Sequence, residues 1–267
     1  MLPGDTPSGS HLCYVYAMQP KPTTTMKRSA DARTKRSRKS GLPLSVIHAD
    51  ALYKPVPPIS LDDEGYICRD GRVSESTRHS RWLNYAVNAA GVLLERLPNA
   101  LVAYDLAVLF EEGNPRALVS PDVVVALNAG RQDRGSYKLW KEPGPPDLVL
   151  EALSERTWRR DLRIKPRLFE DLGVREYWII DPIGKLGSPI MGHRLHDGRY
   201  EPIPRARSGG WISDVLGAEL LIDSGEFRLR DLEASQPVPD FKGLTRLHAE
   251  AERRIAELEA ELRDRQG

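Results

Sequence analysis

Cysteine is nearly absent: Cys13 and Cys68 are the only two in 267 residues. Two thiols provide neither a disulfide framework nor a thiolate metal site. Also missing is any apolar run near the roughly 18–20 residues needed to span a bilayer. The opening MLPGDTPSGSHLCYVYAMQP has no basic stretch followed by an apolar one, so it does not read as a signal peptide. No internal repeat is visible. These absences point to a cytoplasmic protein.

What is present fits a soluble globular chain, with 40% apolar and 29% charged residues. The length accommodates one domain of about 150–200 residues plus appendages. The expected division is a basic tail over 1–41, a domain over 42–233, and a linker with a charged helix over 234–267. The net charge of +1 conceals an asymmetry: residues 1–41 carry eight Lys or Arg against Asp5 and Asp31, or +6, which leaves −5 for the remainder. Most of that excess lies in KRSADARTKRSRK, residues 27–39, which lacks apolar periodicity and reads as disordered. Two roles fit it, a nucleic-acid-binding arm that releases counterions from phosphates and a solubilising tail. Met26 directly precedes this run and is a candidate translation start.

The Pro-rich stretch Tyr53–Ser60 reads as an extended linker. From Ser76 to Leu97 the pattern is helical, with Ser76 or Thr77 as cap and Trp82, Tyr85, Ala86, Ala89 and Leu93 on one face. Pro98 and Asn99 end it. Strands are expected at 101–110, 120–127, 146–153 and 174–181, with weaker ones at 190–196 and 218–222 extending or flanking the same sheet. Between the third and fourth, Ser154–Leu172 reads as a turn plus helix closed by Gly173. The order helix, strand, strand, strand, helix, strand predicts an α/β domain with a mixed central sheet flanked by helices. The final segment, Leu244–Arg265, is a charged helix. His248, Ile255 and Leu262 can serve as a positions and Leu244, Ala251 and Leu258 as d positions, so a homodimer zipper and a solvated or self-docked helix both fit.

Strand alternation sorts the candidate site residues. Asp122 shares a face with Val124 and Ala126, and Glu151 shares a face with Asp147, Val149 and Leu153. An acid within an apolar strand is costly unless it is paired or ligates a metal. Taken singly, Asp122 fits a turn acid and Glu151 a buried salt bridge. Taken together, carboxylates on adjacent strands can converge on one hard cation that prefers oxygen ligands. Six cations follow in ERTWRRDLRIKPR: Arg156, Arg159, Arg160, Arg163, Lys165 and Arg167. Most read as a solvated helix face. Lys165 stands apart because it lies four residues after Asp161, so both can project toward the strand ends.

SPDVVVAL, PPDLVLEALS and RRDLRIKPRLFEDLGVREYWIIDP, in that order, closely resemble the Uma-two family within the PD-(D/E)XK nuclease superfamily. ESTRH at 75–79, EEGNPR and SYKLW resemble one branch of it. The resemblance covers roughly residues 62–232 and implies a restriction-endonuclease-like αβββαβ core. It further implies Mg2+-dependent hydrolysis of DNA, with Mn2+ as an alternative cation. By position, Asp122 corresponds to the aspartate of the PD motif and Glu151 to the glutamate of E-x-K. The Ala152 carbonyl would be a further metal ligand, and Glu75 or His79 the contribution of the first helix. The superfamily's lysine would fall at Leu153. Lys165 matches instead the family's lysine on the following helix, although Pro166 comes directly after it and disfavours helix there. The alternative to an endonuclease is a catalytically silent module of the same fold that binds nucleic acid and a partner.

Overall fold

The computed structural model describes residues 42–51, 60–61, 67–69 and 76–266. The basic tail, Met26, most of the Pro-rich stretch and Glu75 lie outside the described residues. Helix α1, Thr77–Leu94, is capped by Ser76, whose side chain accepts from the His79 backbone N–H at 3.1 Å. It stops three residues before the expected Leu97, and its face of Trp82, Tyr85, Ala86, Ala89 and Leu93 is buried.

Three strands follow, β1 (Leu101–Tyr104), β2 (Val123–Ala126) and β3 (Leu148–Ala152), each antiparallel to the next. The expected strand 101–110 is broken. Asp105 adopts a left-handed conformation, φ 47°, which Asp tolerates better than the β-branched and apolar residues around it. The chain therefore leaves the main sheet, and Val108–Leu109 pairs with Leu118–Val119 and Tyr137–Lys138 in a separate small sheet.

After β3 come α2 (Trp158–Arg163) and α3 (Lys165–Leu172), then β4 (Glu176–Ile180) parallel to β3. The expected αβββαβ order is thus present. Strands β5 (Ile190–His196) and β6 (Arg199–Pro202) extend the sheet antiparallel to six strands, in the order β6-β5-β4-β3-β2-β1. Residues 218–222 form a strand but in another sheet, made of β7 (Trp211–Ser213), β8 (Ala218–Asp223) and β9 (Glu226–Asp231).

Period-two alternation separates two cores. Val123, Val125, Leu148, Leu150, Trp178 and Ile180 face α1 and the β7–β9 sheet. Val124, Ala126, Val149, Leu153, Tyr177 and Ile179 face Leu168 and Phe169 of α3. Glu176, 1% exposed, joins the two sheets. It accepts from Trp178 Nε1 (2.9 Å), the Asp214 N–H (2.9 Å), Ser213 Oγ (2.5 Å) and the Arg194 guanidinium (3.1 Å). Helix α4, Phe241–Gln266, is exposed over residues 241–265 except at half-buried Gly243 and Ala251.

Candidate active site

The register that pairs Val123 with Leu150 places Asp122 opposite Glu151, one step further along. Directly opposed residues project to the same side of a sheet. For this pair it is the side covered by α2 and α3. The two acids are tied reciprocally through the backbone. The Ala152 N–H donates to Asp122 Oδ2 at 2.7 Å, and the Asp122 N–H approaches Glu151 Oε2 at 3.4 Å. Glu151 is 1% exposed; Asp122, at the strand mouth, is half-buried.

Pro166 determines how the lysine arrives. Proline cannot donate within a continuous helix and its ring clashes with the preceding turn. The helix therefore breaks at Ile164, with α2 ending at Arg163 and α3 starting at Lys165, where Pro166 occupies a first-turn position that needs no N–H. Helix α3 thus starts one residue before Pro166, and the break falls at Ile164. The Lys165 side chain turns inward, 2.8 Å from Glu151 Oε1 and 2.9 Å from Asp161 Oδ1. Leu153, which shares the face of Glu151, is fully buried in the α3-side core. An ammonium delivered from α3 thus reaches the acid while position 153 contributes packing.

Three acids share one ammonium here. Burial raises Glu151 well above the usual carboxylate range; Asp161 and Asp122 add to that, and Lys165 opposes it. Burial also raises Asp122, opposed by Lys165 and by the Ala152 N–H. For Lys165, burial alone would lower the pKa, but Glu151, Asp161 and Asp122 outweigh it and hold the amine above its ordinary value. Lys165 is therefore an ammonium at neutral pH, able to donate but not to accept a proton.

His79 approaches from the opposite face of the sheet. Its Nε2 lies 3.0 Å from the Ala152 carbonyl oxygen, and because a carbonyl only accepts, Nε2 carries the hydrogen. The structure thus brings together Asp122, Glu151, Ala152, Lys165 and His79, while Glu75 lies outside the described residues. Two further residues belong to the cluster. Asp161 is 1% exposed, and Tyr177 donates its hydroxyl to the Asp161 carbonyl oxygen at 2.7 Å. The four-residue spacing from Asp161 to Lys165 is the signal that marks the first. Nothing in the sequence marks Tyr177 apart from its strand. Arg156, Arg159, Arg163 and Arg167 are exposed around this helix pair, with Arg159 lying over the Trp158 ring at 4.4 Å.

The model of the Uma2 family, described as "Putative restriction endonuclease", matches residues 61–225. No curated protein matches the chain. A matching solved structure is described as "a putative nuclease belonging to DUF820 from Anabaena variabilis". It is 18% identical, with a TM-score of 0.38, over 51% of this chain and 72% of that one.

Proposed function

This chain belongs to the Uma2 family of "Putative restriction endonuclease" proteins, and on that premise we propose that it hydrolyses DNA phosphodiester bonds with a divalent cation, Mg2+ or Mn2+, held by Asp122 and Glu151. The observation that carries this reading is the convergence of Asp122, Glu151 and the Lys165 ammonium at one end of two central strands. The donor set fits a hard cation. It consists of oxygens, the acids outnumber the ammonium, and burial leaves both carboxylates in want of positive charge. Among the described residues no three or more His, Cys, Asp or Glu form a ready metal cage. Two carboxylates and the Ala152 carbonyl are the protein ligands called on, in keeping with the one or two carboxylates and several waters usual for Mg2+.

A bound cation would acidify the attacking water and neutralise charge on the phosphate. The chain's own residues do the rest. Asp122 and Glu151 hold the cation, and His79 aims the Ala152 carbonyl. Lys165 Nζ, already protonated, donates to the phosphate or orients the water, and serves neither as base nor as ligand. The exposed arginines of α2 and α3 offer phosphate contacts, and the segment 27–39 would add counterion release. The proposed setting is the cytoplasm; no described helix is long and apolar enough to cross a membrane.

Pairing of two copies through α4 is part of the proposal. Its support is the exposed stripe of Leu244, Ile255, Leu258 and Leu262. Parallel pairing sets Arg254 against Glu259 of the second copy, with no like charges opposed. Antiparallel pairing brings Glu252 and Glu259 of both copies to one side.

A silent binding module is favoured by one observation: Glu151 Oε1 is engaged by Lys165 and the Ala152 carbonyl by His79. Incubating the full chain with supercoiled and single-stranded DNA in Mg2+, Mn2+ or EDTA separates the two. Cation-dependent nicking supports the enzyme. Binding without cleavage in every cation supports the module.

A further inference from the structure

Asp161 is an anomaly in this site. It is 1% exposed, yet neither carboxylate oxygen has a hydrogen-bond partner among the described residues. Among the described residues, Oδ1 has only the Lys165 ammonium at 2.9 Å as an ion-pair partner. Buried carboxylates are normally satisfied by several donors, and one left so bare calls for an explanation. Its position is fixed from two sides. The Asp161 N–H bonds the carbonyl of Thr157, the residue before α2, and the Tyr177 hydroxyl of β4 donates to the Asp161 carbonyl at 2.7 Å. The pair also spans the helix break at Ile164, so α2 carries the acid and α3 the ammonium.

Resting on the reading that Asp122 and Glu151 hold a cation, we propose that Asp161 is the positioning residue for Lys165: it keeps the ammonium in the site when Glu151 gives up Oε1 to the cation. In the structure Lys165 bridges Glu151 and Asp161 at nearly equal distances, 2.8 and 2.9 Å. Glu151 cannot serve a divalent cation and the ammonium equally well through one oxygen, and the two positive charges repel. With Asp161 as second anchor, Lys165 withdraws by a small movement and stays beside the reacting phosphate. Without it, the ammonium clings to Glu151 and competes with the cation, and leaves for solvent only when Glu151 is neutralised as well. Asp161 therefore acts through Lys165 and is not itself a cation ligand.

The test is Mn2+ titration calorimetry on the full-length wild type, Asp161→Asn, Lys165→Met and the double variant. Asp161→Asn, with Lys165 now committed to Glu151, is expected to bind Mn2+ about tenfold more weakly. Lys165→Met in that background restores wild-type affinity or better, because the competing ammonium is gone. A double variant as weak as Asp161→Asn would make Asp161 a ligand and overturn the proposal, as would unchanged affinity in Asp161→Asn.

A second measurement needs no metal: reductive methylation of Lys165, read by mass spectrometry, in folded Glu151→Gln and Glu151→Gln/Asp161→Asn. Glu151→Gln imitates the withdrawal of Glu151. Lys165 should stay as protected in it as in wild type and become at least about tenfold more reactive in the double variant. Equal reactivity in the two variants overturns the proposal. Wild type that binds no Mn2+ would remove the metal reading, and the methylation result would still decide whether Asp161 holds the lysine.

Discussion

Lys165 Nζ lies 2.8 Å from Glu151 Oε1, although fourteen residues and a helix break separate the two in the chain. The superfamily's short E-x-K spacing would place the ammonium two residues along the strand. In the proposed site an ammonium arrives from α3 instead, and the strand position holds Leu153 in the core.

Lys165→Ala should lower DNA cleavage by at least about a hundredfold, the usual scale for a positioned proton-donating or charge-stabilising group. Mn2+ binding should persist, because the ammonium opposes the cation instead of ligating it. Steady-state cleavage and calorimetry on the same preparation check both halves.

The metal-free protein should lose stability as pH rises above the ordinary carboxylate range, near pH 4. Glu151 and Asp122 are both raised in the folded state. Between their unfolded and folded pKa values the native state therefore binds more protons than the unfolded chain. The stability they contribute is complete below the unfolded values and lost as pH climbs through the folded ones. Asp122→Asn should flatten this slope. Added Mn2+ should raise the wild-type melting temperature at neutral pH, and should raise that of Asp122→Asn much less. Thermal melts from pH 4 to 8 read both effects.

Much of this arrangement is legible in the sequence, because its determinants are local. The β-branched run at 123–126 and the apolar run at 148–153 specify buried strands, and period-two alternation groups Asp122 with Val124 and Glu151 with Val149, while the register that sets the two acids opposite each other rests on strand pairing. Ser76 and Gly173 mark helix ends as expected, Gly173 with φ 85°. Less legible is what depends on distant partners. The strand 101–110 reads as continuous because its side chains favour extension, yet Asp105 turns it out of the sheet. The strand at 218–222 follows the right pattern, but no local feature says that it pairs with β7 and β9. The four-residue spacing marks Asp161 as a neighbour of Lys165, but only the packing of α2 on β4 reveals its burial.

Glu176→Ala should destabilise the fold by about 3 kcal/mol, since it strands the buried donors of Trp178 and Ser213 and frees the partly exposed Arg194. For a domain of this size that corresponds to roughly 6–12 °C in melting temperature. A chemical denaturation series compares it with Glu201→Ala on β6, an exposed strand position expected to change little.

If α4 pairs two copies, Leu258→Asp should convert a dimer to a monomer in sedimentation equilibrium and leave the melting of the domain unchanged. A wild-type chain that stays monomeric at high micromolar concentration would remove the second copy from the proposal.

The most direct test of the central claim is cleavage of supercoiled DNA by wild type, Asp122→Asn and Glu151→Gln, each with Mg2+ and with EDTA. The account predicts nicking by wild type in Mg2+, none in EDTA, and a loss of at least about a hundredfold in both variants while they remain folded. Wild-type rates in either folded variant, or nicking that persists in EDTA, would contradict it.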